Sequence, residues 1–462
     1  MRTSKTMLLV LLAPSLALAG PTAPSAAAAP AAAGASAVKL PVVTFKLRNG
    51  LTVLVSEDHT TPVVAVEVMY HVGSKEEQKG RTGFAHLFEH MMFEGSGHVP
   101  DKMHFKYILE AGGTANGTTN TDRTNFFETV PSNFLDRALW LESDRMGFLL
   151  DTLTKEKLDN QRDVVRNERR QSYENRPYGM APKAIAEMLY PPGHPYRWLT
   201  IGEHEDLEAA SVDDVKQFFR TWYTPANASL ALAGDVTPAQ AKRLAEKWFG
   251  DLPSHAAPAH ATAKPVTLAA DERRTLEDKV SLDRVYLAWP SPALFAPGDA
   301  ELDLLATLLT SKSGRLFKRL VYQDRIAQSV EAMQLSRQLG SDFEIIATAK
   351  PGHTAAELEK AIDEELKALL SDRPVGDDEL GRARNRWEAD FVYGLEGVAG
   401  RAARIGTYYQ MTGKADYLAQ DRARYLAATA ATVEKQARAT LGGHRATLVI
   451  TPDKAAAKGG AR

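Results

Sequence analysis

Two histidines and a glutamate fall within five residues, His86-Leu87-Phe88-Glu89-His90. On a helix the two imidazoles share one face, about 40° apart, and both can reach one Zn²⁺ at about 2.0–2.1 Å. Glu89, three residues after His86, lies on the same side within roughly 100° of arc and need not bind the ion. Zinc draws the pKa of a water it binds towards about 7, and an adjacent carboxylate takes the proton and hands it to a leaving amine. That is the chemistry of peptide hydrolysis, with the order of elements inverted from H-E-x-x-H. The bland alternative is a helix whose histidines make hydrogen bonds in a core. Gly83 and Phe84 before the set and Met91-Met92-Phe93 after it predict a buried helix, and a buried face with two His and a Glu needs a reason. A zinc peptidase also wants a third protein ligand and one open position. Asp163, Glu168 and Glu174, on a predicted helix over 154–174, offer the ligand, and spacing does not choose among them.

The elements that must hold these groups read as a mixed fold. Alternation predicts strands at 42–46 and 51–55 around the turn Arg48-Asn49-Gly50, and a Val-rich strand over 62–72. A helix is expected over 83–94, short β runs over 113–120 and 125–130, and helices over 132–150, 154–174 and 180–189. A capped helix from Ser211, an interior strand at 228–233 and a helix over 238–249 close the first half. The second half repeats the order, with strands at 285–289, 343–349 and 446–450. Its helices are expected at 300–309, 315–323, 355–371, 377–395, 400–411 and 431–441. The expected class is α+β: two topologically similar domains, each a mainly antiparallel sheet packed against helices, related by internal duplication. The domains are drawn at 39–250 and 267–455, joined by a Pro/Ala linker over 251–266. Only the first has the His-rich helix, so one site per chain is expected.

Composition narrows the setting. The 462 residues carry 56 basic and 58 acidic side chains, a balance that gives no reason to expect nucleic acid or an anionic membrane as partner. Arg2 and Lys5, an apolar run from Met7 and the small residues Ala17-Leu18-Ala19 read as a signal peptide over 1–19. The run is shorter than the roughly 20 residues that span a bilayer. An Ala/Pro-rich tether follows over 20–38, and a periplasmic or secreted protein without a membrane span in the mature chain is expected. The absence of Cys excludes disulfides and thiolate ligands, so a metal must be held by His, Asp and Glu. Six other histidines, at 98, 104, 194, 204, 255 and 260, read as surface or hydrogen-bonded residues.

Three blocks, GRTGFAHLFEHMMFEGS, GGTANGTTNTDRTNFFETVP and RDVVRNERRQSYENRPYG, in this order and spacing, resemble the pitrilysin family, which includes insulysin and mitochondrial processing peptidase. The resemblance covers roughly residues 40 to 450. It implies a zinc metalloendopeptidase of the inverzincin kind, with His86, His90 and Glu168 as ligands of one Zn²⁺ and Glu89 as base. It also implies that the segment at Asn116 and Gly117 forms an edge strand to which peptide adds. Two departures stand out. Gln161 occupies a place where the family often has a second, modulating Glu. Aligned on Gly314-Arg315-Leu316-Phe317, Val321 and Gln328 stand where active pairs carry an Arg and a Tyr that steady the substrate carbonyl. One chain also makes half of the family's chamber. The resemblance therefore implies a catalytic subunit of a heterodimer whose non-catalytic homologue supplies the Arg/Tyr pair, with a homodimer as the rival. A non-catalytic structural or peptide-binding subunit is the competing reading; such members tend to lose the His/Glu set that this chain keeps.

Overall fold

The computed structural model describes residues 38–453 apart from Ser254 and Ala257; the signal peptide expected over 1–19 and the tether up to residue 37 lie outside the described residues. Six strands form the first sheet: β1 (Val43–Lys46), β2 (Thr52–Glu57), β3 (Val63–Tyr70), β4 (Thr114–Thr119), β5 (Thr124–Pro131) and β6 (Ala228–Gly234). Their order is β1-β2-β6-β3-β5-β4. Five form the second: β7 (Glu272–Asp278), β8 (Arg284–Ser291), β9 (Ala327–Leu335), β10 (Ser341–Ala349) and β11 (Ala446–Pro452), in the order β7-β11-β8-β10-β9. Without β1 the two orders coincide. So do the pairing senses: β2 with β6 and β7 with β11 are parallel, and every other neighbour is antiparallel. The duplicated α+β plan is thus visible in the topology itself.

Strands buried on both faces read as continuous apolar runs, because neither side can be left polar. In β6, Leu230 and Leu232 enter the core shared with the helices of the first half, while Ala231 and Ala233 face the other way. That second face is covered by Ala402 and Ile405, on the helix Val398–Thr412 from the far part of the chain. The second sheet repeats the device. Val285, Leu287 and Trp289 of β8 enter its own core, and Tyr286 and Ala288 meet Ala181, Ala184 and Ile185 of the helix Ala181–Leu189, from the first half. Each sheet is therefore closed by a helix contributed by the other half, and the described residues from Lys39 onward make one compact unit.

The His-rich segment lies on α1 (Phe84–Met91), which packs on α4 (Lys155–Arg169); α2 (Met103–Glu110) and α3 (Leu135–Phe148) come between them in the chain. The helix expected over 83–94 ends at Met91, and the one expected over 154–174 gives way after Arg169 to a wider turn at Arg170–Glu174. The described residues over 253–268, which overlap the linker expected at 251–266, have no regular structure, but His260 Nδ1 lies 3.0 Å from Glu76 Oε1. No helix among the described residues is long and apolar enough to cross a membrane.

Candidate metal centre

The centre is built where α1 meets α4. Helix α1 cannot begin with a conventional side-chain cap, because Gly83 at its N-terminus has φ +89°. A Cβ there would lie 2.8 Å from the Ile201 carbonyl oxygen and 2.9 Å from Gly202 Cα, so only glycine fits. The free amides are taken by Glu77, whose carboxylate accepts from the N–H of Gly83 at 2.9 Å and of Ala85 at 2.8 Å. Sequence reasoning missed Glu77; the only hint was an acidic residue a few positions before a glycine-started helix. Helix α4 is tied to the same loop through Arg169, which is buried. Arg169 donates to the Gly202 carbonyl and to Glu203 at 2.7 Å, and its Nε reaches Glu174 at 3.0 Å.

With both helices fixed, three side chains converge. His86 Nε2 lies 3.8 Å and His90 Nε2 3.3 Å from Glu168 Oε2. The imidazole rings are 4.8 Å apart and nearly perpendicular, and one ligand atom from each of the three residues falls within 4.8 Å of the others. Two imidazole nitrogens and one carboxylate form a donor set suited to Zn²⁺ with a fourth position open. Of the other two carboxylates open on spacing, Asp163 is largely exposed beside Arg166, and Glu174 is occupied by Arg169 and by His204 at 2.9 Å.

Electrostatics keep the set ready for a cation. Burial, followed by the neighbouring His90, pulls His86 down to about 4, so the ring is neutral and its nitrogen available at ordinary pH. The His90 imidazole beside it holds Glu168 below the usual carboxylate range. Burial raises Glu89 above it, a shift that would suit a proton acceptor. Glu89 lies next to the trio but outside it, with Oε2 accepting from the Thr119 hydroxyl at 2.6 Å.

Of the remaining sequence candidates, Asn116 and Gly117 lie on β4, the open edge of the first sheet. Asn116 is exposed, and its Oδ1 accepts from the Gly117 N–H at 2.9 Å. A Cβ on Gly117 would stand 3.1 Å from Glu89 Cγ, so the bare glycine leaves room for that side chain. Gln161 is buried on α4, two turns before Glu168. Val321 is half-buried in the wide helical segment Phe317–Gln323, and Gln328 is exposed on β9 of the second half.

A second group, His104, Glu128 and Glu142, also brings ligand atoms within 4.8 Å of one another. It is a poorer cation site. Arg145 occupies both oxygens of Glu142, Nε on Oε2 at 3.0 Å and Nη2 on Oε1, and its guanidinium stacks 4.1 Å from the Phe126 ring centre. Burial, with the Glu142 charge adding to it, pushes the Glu128 carboxyl well above its usual range, so a proton compensates it.

Residues 52–191 match the family described as insulinase (peptidase family M16), and residues 209–386 match the one described as peptidase M16 inactive domain. A Helicobacter pylori protein named zinc protease PqqE is 32% identical over 385 residues, covering 81% of this chain and 85% of that protein. The probable β subunit of mitochondrial-processing peptidase from Arabidopsis thaliana is 23% identical over 405 residues, covering 85% and 74%. Among solved structures, a protease from Helicobacter pylori superposes with a TM-score of 0.84 at 27% identity, over 90% of this chain and all of that one. A peptidase M16 inactive domain from Pseudomonas fluorescens gives 0.80 at 18% identity, over 90% and 98%, a likeness of fold.

Proposed function

For a chain that belongs to the insulinase family of peptidases, family M16, we propose zinc-dependent cleavage of unfolded peptides as an endopeptidase or oligopeptidase. The observation that carries the reading is the convergence of His86, His90 and Glu168 with a fourth group, Glu89, beside them and bonded elsewhere. His86, His90 and Glu168 hold one Zn²⁺ per chain. The ion, when bound, supplies an acidified water and polarises the scissile carbonyl. Glu89 takes the proton and delivers it to the leaving amine. The free edge of β4 lends its backbone groups to an extended peptide, which binds by main-chain hydrogen bonds with little choice of side chain. Gln161, neutral and buried near Glu168, tunes the site without adding charge.

Activity is completed by a second subunit. Val321 and Gln328 cannot donate as an Arg and a Tyr would, so a homologous chain without the zinc residues supplies that pair in a dimeric chamber. A homodimer is the rival arrangement. Residues 1–19 direct export to the periplasm or beyond. The match to an M16 inactive domain over 209–386 keeps one other reading in play, that of a non-catalytic structural or peptide-binding subunit.

One experiment separates these. An unstructured peptide is offered to the wild type and to Glu89→Gln, each with and without a candidate partner, and bound metal is measured. The expected result is one zinc per chain in both proteins and a turnover lower by about 10²–10⁴-fold in Glu89→Gln. Equal turnover by both would sink the assignment of the base. Zinc without hydrolysis in every mixture would favour the non-catalytic subunit, and full activity of the chain alone as a self-dimer would remove the heterodimer.

A further inference from the structure

Strand β4 carries more than an open edge. Side chains alternate along a strand, so Gly117 and Thr119 share one face and Asn116 and Thr118 the other. The face with Gly117 is the one turned to α1, because a Cβ on Gly117 would press on Glu89 Cγ. Two residues on, Thr119 Oγ1 donates to Glu89 Oε2 at 2.6 Å, the one hydrogen bond to that carboxylate among the described residues. Thr118 is engaged on the opposite face, where its hydroxyl donates to Asn125 Oδ1 at 2.6 Å and its carbonyl accepts from Arg123 at 2.7 Å. To Glu89 the strand thus presents an empty position and a hydroxyl.

The hydroxyl is itself well placed. Thr119 pairs with Thr124 across the β4–β5 hairpin, one residue before the turn. In that turn Asn120 Oδ1 accepts from the N–H of Asp122 at 2.8 Å and of Arg123 at 2.9 Å. Asp122 is buried, and its carboxylate accepts from the Tyr196 hydroxyl at 2.6 Å and the Gln338 N–H at 3.1 Å. Its carbonyl accepts from Lys75 at 3.1 Å and Gln410 at 2.8 Å.

We propose that Thr119 is a positioning residue for the base: it fixes one oxygen of Glu89 and leaves Oε1 to receive the proton. The role rests on the peptidase reading above, in which Glu89 is the base. A carboxylate at the end of a flexible side chain has many rotamers, and a displacement of about 1 Å at a reacting group costs on the order of 10²-fold in rate. The same strand that receives the peptide therefore also aims the group that acts on it.

The test uses the full chain with its partner, zinc-loaded, in three forms: wild type, Thr119→Val, which removes the hydroxyl at constant shape, and Thr119→Ser, which keeps it. Zinc content, kcat, KM and the crystallographic position of Glu89 are read for each. In Thr119→Val, zinc and KM stay at wild-type values, kcat falls by about 10- to 100-fold, and the Glu89 carboxylate leaves its place. Thr119→Ser restores both kcat and the position. A Thr119→Val protein with Glu89 undisturbed, or with wild-type kcat in an active enzyme, overturns the role and leaves the peptidase reading standing. A wild type that cleaves nothing, with Glu89 displaced only in Thr119→Val, removes the peptidase reading and keeps the positioning.

Discussion

A histidine outside the metal centre sets a measurable pH dependence. The His71 ring is largely enclosed, its Nε2 is buried without a partner among the described residues, and burial lowers it to about 4. In the unfolded chain the same ring titrates near 6.5, so between these values the unfolded state binds the extra proton. Its contribution is full at neutral pH and is lost as pH falls from about 6.5 towards 4. By pH 5 the loss amounts to about 2 kcal/mol as an order of magnitude. His71→Phe, which cannot titrate, should gain about this much on the wild type between pH 7 and pH 5, read from urea midpoints. A gap that does not change with pH would show that the ring is already solvated. Residue types carried much of the candidate site at this scale, because the His/Glu spacing is local. Glu168 is different: helical spacing leaves it equal to Asp163 and Glu174, the resemblance of its block to the family points to it, and the packing of α4 on α1 sets it apart in space.

At the scale of elements, α1 depends on a start that no side chain caps from within. Gly83→Ala must hold a positive φ and find room against the Ile201 carbonyl and Gly202. It should cost roughly 2 kcal/mol or more and weaken zinc binding, measured by urea unfolding and metal titration. Unchanged stability would mean that the 201–202 loop yields freely. Elements with a strong apolar rhythm were legible in the sequence: β2, β3, β6, β8, β10 and β11 fall where alternation or apolar runs place them. Those that escaped are weakly patterned. Strand β7 (ERRTLED) and strand β9 (AQSVEAMQL) are the edges of the second sheet, where one strand partner and partial exposure leave little apolar signal. Helix α2 and the helices His204–Ala209 and Leu418–Ala427 are short and bury few side chains, so periodicity has little to register. Thr119 and Asp122 act through contacts with segments distant in sequence, which no local pattern announces, and Glu77 has only the faint hint of an acid before a glycine-started helix.

Across the whole molecule, the half without the His-rich helix helps to hold the strand that faces the metal centre. Gln338 and Gln410 reach Asp122 from the second half, while Tyr196 and Lys75 reach it from the first. Asp122→Ala strips the carboxylate from a buried cluster of donors and should cost about 3 kcal/mol. Limited proteolysis should then cut the β4–β5 hairpin in a protein whose His86, His90 and Glu168 are untouched. A hairpin as protected as in the wild type would show that the sheet alone suffices. The crossed helices have a further consequence, for how the chain is made. Among the described residues the strand furthest along the chain, β11, is an interior strand of the second sheet, and the cover of the first sheet ends at Thr412. The roughly 160 residues from Phe249 to Thr412 take on the order of 10–30 s to synthesise at about 5–20 residues per second. Throughout that interval Leu54, Ala65, Ala231 and Ala233 line a naked apolar surface. The first sheet is not sealed until Thr412 has emerged, nor the second until β11 has, so a nascent chain of this kind needs a guardian for its unfinished face.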